Sequence, residues 1–142
     1  MSDTIIDSSA WIEFFKGNEK YSFIKELIYT NLVCTNDIIL TELLPLVIHQ
    51  RENKLADLLN SLRKKVLVID WREIQGIQLL NLKYGNNNVG ISDILIAQNC
   101  MQNKLKIVTK DKHFMAMAKY IPLEIYAKKC TVLCQCPSFR KT

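Results

Sequence analysis

The feature that most restricts the fold is an alternation. Short runs of β-forming residues at 4–6, 32–34, 66–69, 106–109 and, less regularly, 123–125 are separated by longer stretches of helical period. Strands joined through helices run parallel, because each connection has to cross back over the sheet before the next strand begins. The expected fold class is therefore α/β, with a central parallel sheet of four to five strands.

The intervening stretches carry their own start and stop signals. Residues 10–16 and 21–30 are expected to be helical, with Gly17-Asn18 as the break and Phe23, Leu27 and Ile28 facing inward. Asn36 stands where an N-cap is needed for the helix that carries Glu42. Pro45 lies inside that helix, has no N–H for the carbonyl of Thr41, and is expected to bend it. Leu55, Leu58, Leu59 and Leu62 predict an amphipathic helix over 54–63. Ile74, Ile77, Leu80 and Tyr84 predict another, closed by Gly85 and followed by the polar loop Asn86-Asn87-Asn88. Ser92 is the expected N-cap of the next helix, which puts Asp93 in a first turn beside the positive end of the helix dipole.

With 142 residues, 49% of them hydrophobic and 23% charged, the chain is expected to fold as one domain over 1–142. Residues 130–142 form a basic, cysteine-bearing C-terminal segment. The net charge of +5 favours a polyanionic partner through long-range attraction. Met1-Ser2-Asp3-Thr4 lacks the basic start and apolar run of a secretory signal, and the richest apolar stretch, 38–48, is interrupted by Glu42 and Pro45. No membrane association is expected, and the five cysteines, an odd number, point to reduced thiols and a cytoplasmic setting.

Four acids sit inside or directly beside strongly apolar elements: Asp7 after Thr4-Ile5-Ile6, Glu42 within Thr41-Glu42-Leu43-Leu44, Asp93 within Ile91-Ser92-Asp93-Ile94, and Asp111 after Ile107-Val108-Thr109-Lys110. In a parallel α/β sheet, ligands bind beyond the carboxyl ends of the strands, where the strand order reverses. Asp7 and Asp111 follow strands and should face that crevice, and Glu42 and Asp93 are on helices that can reach it. Carboxylates gathered there without cationic partners repel one another, a conflict that a divalent cation removes. An all-oxygen donor set without His or Cys suits Mg²⁺ or Mn²⁺ better than zinc. Such a centre serves phosphodiester hydrolysis, with Ser9 and Thr109 as hydroxyl donors orienting Asp7 and Asp111. Any one of these acids alone reads more readily as a cap or a solvated turn residue than as a catalytic group. Glu42 stands out because burial among Ile38, Ile39, Leu40, Leu43 and Leu44 would cost stability if it were unpaired.

The motifs Ile5-Ile6-Asp7-Ser8-Ser9, Thr41-Glu42-Leu43, Ser92-Asp93-Ile94-Leu95-Ile96-Ala97 and Thr109-Lys110-Asp111-Lys112-His113-Phe114, in this order and at these separations, resemble the PIN domain and, in size and layout, its VapC-type toxins. The resemblance covers nearly the whole chain, to about residue 125. It implies a three-layer α/β/α sandwich and a metal-dependent ribonuclease acting on RNA, often tRNA or rRNA. Asp7, Glu42, Asp93 and Asp111 match the family's acidic quartet, which binds Mg²⁺ or Mn²⁺, while Ser9 and Thr109 match its accompanying hydroxyls. The resemblance also implies a homodimer and a small cognate antitoxin whose tail enters the active-site groove. The chain departs from the family pattern at Gln98-Asn99-Cys100, which replace small apolar residues, at Pro45, and at its C-terminus.

Other residues carry weaker signals. Cys130, Cys134 and Cys136 lack the spacing of a zinc site and read as structural thiols. His113 reads as a surface residue after Asp111, His49 as solvated, and Trp11 and Trp71 as packing residues. Lys16, Lys110 and Lys112 are candidates for contacts to RNA phosphates, with Lys54 and Arg51 behind them. Ser8, Ser9 and His113 lack the elbow of a hydrolytic triad. Against the nuclease stand a noncatalytic RNA- or protein-binding module and a phosphatase of small phosphoesters.

Overall fold

The computed structural model describes residues 3–127. Its strands are β1 (Thr4–Ile6), β2 (Val33–Thr35), β3 (Arg63–Lys64), β4 (Lys106–Val108) and β5 (Glu124–Ile125). They form one parallel sheet in the order β3-β2-β1-β4-β5. The helices are α1 (Ser8–Phe15), α2 (Phe23–Tyr29), α3 (Asp37–His49), α4 (Asn53–Ser61), α5 (Trp71–Lys83), α6 (Ile91–Asn103) and α7 (Lys112–Met117), and they complete a three-layer α/β/α sandwich.

β1 is the middle strand, paired with β4 in the register Thr4↔Lys106, Ile5↔Ile107 and Ile6↔Val108. A strand covered by helices on both faces has no polar side, which is why it reads as a continuous apolar run. Ile5, Ile6 and Ile107 are fully buried, as are Trp11 of α1, Ile39 and Leu43 of α3, Ile94 and Ile96 of α6 and Phe114 of α7. Each such side chain contributes roughly 1.5–3 kcal/mol by leaving water. Trp11 packs edge-on against Phe14 and stacks on Phe15 inside this core.

The third strand departs from expectation. It forms at Arg63–Lys64, and the apolar run 66–69 lies outside the sheet with Val66 and Val68 78% and 67% exposed. The last sheet bond there runs from Lys65 N to Thr35 O. Beyond Thr35 the neighbouring strand gives way to α3, so no backbone is left for residues 66–69 to pair with. Side-chain amides of α6 take over that role. Asn99 Nδ2 donates to Val66 O (3.2 Å) and Gln102 Nε2 to Val68 O (2.8 Å), while Gln98 receives Asp70 N (3.2 Å) and donates to Asp70 O (3.1 Å). The polar residues that depart from the family pattern at 98–99 therefore hold the extended segment that follows β3.

Other expectations shift by smaller amounts. Gly90, not Ser92, occupies the N-cap of α6, although Asp93 still falls in its first turn. Trp71 opens α5 at 54% exposure instead of packing in the core. Asn36 does cap α3, accepting from Ile39 N at 3.0 Å, and α3 runs unbroken through Pro45. Cys34 and Cys100 are buried and unpaired, burial pushing the Cys34 thiol up to about 11. Cys130, Cys134 and Cys136, with the rest of segment 130–142, lie outside the described residues. Among the described residues no helix is long and apolar enough to cross a membrane.

Candidate functional site

The strand order places the two central strand ends side by side at the reversal point. From β1 the chain steps outward through β2 to β3, then returns to the other side of β1 as β4. Asp7 leaves β1 and Thr109-Lys110-Asp111 leaves β4, so both acids emerge at the crevice between diverging connections. Asp7 N donates to Val108 O (2.9 Å), and Asp7 O accepts from Ala10 N and Trp11 N, both at 3.0 Å. Its backbone is thereby held by the neighbouring strand and by the first turn of α1.

The Asp7 side chain is 4% exposed and is held by hydroxyls. Ser9 Oγ donates to Asp7 Oδ2 at 2.8 Å and Thr109 Oγ1 to the same oxygen at 3.1 Å. Those hydroxyls also accept backbone N–H groups, Ser9 from Lys110 (3.1 Å) and Thr109 from Asp111 (2.9 Å). One web thus ties the ends of β1 and β4 together. Burial raises the Asp7 pKa, the bonds from Ser9, Thr109 and the Ser8 backbone lower it, and the Asp111 charge raises it again, with a net upward shift. Ser9 and Thr109 hold Asp7 directly, and Thr109 also orients the Asp111 backbone.

Glu42 avoids the cost that burial among its apolar neighbours would carry. It lies on the exposed side of α3, with fully buried Leu43 next to it. Its carboxyl is nonetheless partly desolvated, which raises its pKa; a hydrogen bond from Ser8 opposes the shift and the charge of Asp7 adds to it. Asp93, half-buried in the first turn of α6, is pushed up to about 6. The leading cause is burial, followed by the charges of Asp111, Asp7 and Glu42 in that order, with His113 opposing. Asp111 caps α7, its Oδ1 accepting His113 N at 2.8 Å.

Asp93 therefore feels all three of the other acids, and no Lys or Arg figures among the causes of its shift or of those at Asp7 and Glu42. Among the described residues, the charges of Asp7, Glu42 and Asp111 all reach Asp93, and only His113 opposes them there. By chemistry this donor set fits a hard divalent cation. As the side chains stand, no three of the His, Cys, Asp and Glu groups among the described residues are close enough to hold one ion.

The cations near the site are partly committed. Lys110 Nζ pairs with Glu13 Oε2 at 3.1 Å and Lys16 Nζ with the same oxygen at 3.8 Å. Lys112 is exposed at the start of α7. Two amide networks went unread in the sequence. Asn36 Nδ2 donates to Asn99 Oδ1 (3.0 Å), locking α3 to α6 within the core. Asn86 Nδ2 donates to His113 O (3.2 Å) and Tyr120 Oη (3.0 Å), while Asn86 Oδ1 meets His113 Nδ1 at 3.0 Å. An isolated Asn in a polar loop carries no sequence signal that separates such a role from ordinary solvation.

The PIN domain family model matches residues 4–120. No curated protein matches the chain. Among solved structures it resembles VapBC2 from Rickettsia felis bound to a promoter DNA fragment (TM-score 0.64, 21% identity, covering 89% of this chain and 98% of that one). It also resembles a toxin–antitoxin complex from Klebsiella pneumoniae (TM-score 0.60, 16% identity, 87% and 100% covered) and PAE2754 from Pyrobaculum aerophilum (0.57, 13%, 82% and 79%). At these identities the structural likeness establishes the shared fold.

Proposed function

Because the chain belongs to the PIN domain family, we propose that it is a metal-dependent endoribonuclease, the toxin of a toxin–antitoxin pair, with Asp7, Glu42, Asp93 and Asp111 as its catalytic and metal-holding acids. The observation that carries the reading is the upward shift of Asp93 to about 6, to which burial and the charges of the three other acids contribute. A fold tolerates such uncompensated charge at a strand-order reversal when a cation completes the site. Mg²⁺ or Mn²⁺, when bound, supplies an activated water and offsets charge that builds on the scissile phosphate. The hydrogen bonds from Ser9 and Thr109 favour the ionised form of Asp7 against its burial and fix its direction. Asp93 and Glu42 come from two helices and Asp111 from the end of β4, and the charges of Glu42, Asp7 and Asp111 all act on Asp93. Lys16, Lys110 and Lys112 supply nonspecific, salt-dependent attraction for the RNA backbone.

The toxin assignment draws support from the two solved neighbours described as a VapBC assembly and a toxin–antitoxin complex. It brings with it a cognate antitoxin, a homodimeric state, a cytoplasmic setting and a single-stranded or structured RNA substrate such as tRNA or rRNA. The test is cleavage of RNA by purified protein with Mg²⁺, Mn²⁺ or EDTA, beside Asp7→Asn and Asp93→Asn variants checked for folding by circular dichroism. Cleavage only with metal, and lost in both variants, is expected. Cleavage that survives both substitutions overturns the assignment.

A second reading, a noncatalytic RNA- or protein-binding module, is favoured by the side chains not being closed on a single ion. It requires metal-independent RNA binding with a steep salt slope and no cleavage product.

A further inference from the structure

Beside Asp111 lies a second polar feature that the carboxylate chemistry does not use. α5 ends as Gly85 turns into the left-handed region at φ +74, a conformation that strains any side chain, and the turn sets Tyr84 and Asn86 on either side of it. Tyr84 stacks on Tyr120 with ring centroids 4.7 Å apart and planes 14° from parallel, yet stays 61% exposed. One ring face is backed by protein and the other is open. Tyr120 is pinned in place, because its hydroxyl donates to buried Asn81 and accepts from Asn86. With Ala116 and Lys119 these residues line a cleft of about 310 Å³.

The polar groups of that cleft divide into committed and uncommitted. Both polar atoms of the Asn86 side chain are engaged by His113 and Tyr120. The Lys119 ammonium has no ion-pair partner among the described residues. What remains open to a ligand is therefore a rigid aromatic face and one positive charge. That combination suits a flat ring carried on an anionic backbone. It offers a peptide backbone little, since the Asn86 amide is already engaged.

We propose that this cleft is a nucleobase subsite: an unpaired base of single-stranded RNA stacks on the open face of Tyr84 while Lys119 contacts an adjoining phosphate. The proposal rests on the ribonuclease reading of the carboxylate site, to which the cleft is joined through Asn86, His113 and Asp111. Recognition by stacking tolerates any base, because every base presents a π face, so the subsite grips and aligns the strand without reading its sequence. Bases held in a duplex are shielded from it, so it favours loops and single-stranded segments.

The test is the affinity of the full chain for a fluorescein-labelled single-stranded RNA decamer, read by anisotropy in EDTA so that no cleavage is needed. Tyr84→Ala is expected to weaken binding about tenfold and Tyr84→Phe to leave it unchanged, since stacking needs the ring and not the hydroxyl. Lys119→Gln is expected to weaken binding less and to lower the salt slope by about 0.7. Replacing the decamer's bases with abasic sugars should abolish the difference between wild type and Tyr84→Ala. Equal affinity of wild type and Tyr84→Ala for the intact RNA overturns the subsite, as does a Tyr84→Phe variant as weak as Tyr84→Ala. Loss of binding to a protein partner in Tyr84→Ala, with RNA affinity unchanged, assigns the face to that protein and also overturns it. If RNA is bound in the expected pattern but never cut with metal, the subsite stands and the nuclease assignment falls. If RNA is cut but Tyr84→Ala changes neither binding nor KM, the reverse holds.

Discussion

Asn36 Nδ2 donates to Asn99 Oδ1 at 3.0 Å, and both residues are buried. Asn36 ends the β2 side of the sheet and caps α3, and Asn99 lies on α6, so this bond fixes the two helices that carry Glu42 and Asp93. Asn99 also holds Val66 O, which makes it the joint between α3, α6 and the displaced segment after β3. Replacing it with Ala leaves the Asn36 amide buried without its acceptor. Asn99→Ala is expected to cost about 1–3 kcal/mol in urea unfolding and to weaken Mg²⁺ binding measured by calorimetry. Unchanged values in both measurements would remove Asn99 from the framework of the site.

Asp93 is the acid most disfavoured by its surroundings, held up by burial and by three like charges. Asp93→Asn keeps the shape and removes the repulsion. In EDTA the variant is expected to be more stable than wild type by about 1 kcal/mol, after allowance for solvent screening. With metal it should have lost RNA cleavage. A residue whose removal stabilises the fold and ends activity is there for function. A destabilised Asp93→Asn protein in EDTA would contradict this account.

The same group sets a pH dependence. Its pKa in the folded chain is about 6 against an ordinary 3.8, so the folded state holds the proton more tightly than the unfolded state. The stability contributed by Asp93 is fully present below 3.8 and is lost as pH rises through about 6. The melting temperature of metal-free protein should fall across that window, and saturating Mg²⁺ should flatten the fall by favouring the ionised form. Circular dichroism melts over a pH series, with and without EDTA, decide it; identical curves would refute the linkage.

Thr109 holds both Asp7 Oδ2 and Asp111 N. Thr109→Val removes both bonds at nearly constant shape, and the cost is expected to be about 0.5–1.5 kcal/mol. Without that donor the Asp7 pKa should rise further, and the pH at which cleavage switches on should move upward in a pH–rate profile. Thr109→Ser should restore the wild-type profile.

Lys110 and Lys16 share Glu13 as an ion-pair partner. Glu13→Gln is expected to release both ammonium groups and to steepen the salt dependence of RNA binding in EDTA, with no loss of fold because Lys16 and Lys110 are exposed. A slope that stays constant would show that these lysines do not contact the RNA backbone.

Much of this protein is legible one segment at a time, because periodicity and caps are local. The runs that begin at Thr4 and Lys106 form strands because adjacent β-branched apolar residues (Ile5-Ile6, Ile107-Val108) flanked by helical period suit the inside of a parallel sheet, the second strand ending at Val108. Asn36 and Gly85 mark helix ends through backbone requirements that act within a few residues. The four acids were visible as charges set in apolar surroundings. Apolar content alone misplaced the third strand and buried Trp71, since Val66, Leu67, Val68 and Ile69 form a strand only where a neighbouring backbone remains to pair with. Tertiary structure decided that by ending β2 at Thr35. It also decided that Glu42 is exposed, that Gln98 and Asn99 hold the extended segment after β3, and that Tyr84 rests on Tyr120. These relations join residues far apart in the chain, and their energies depend on distance and solvent access, which no local pattern contains.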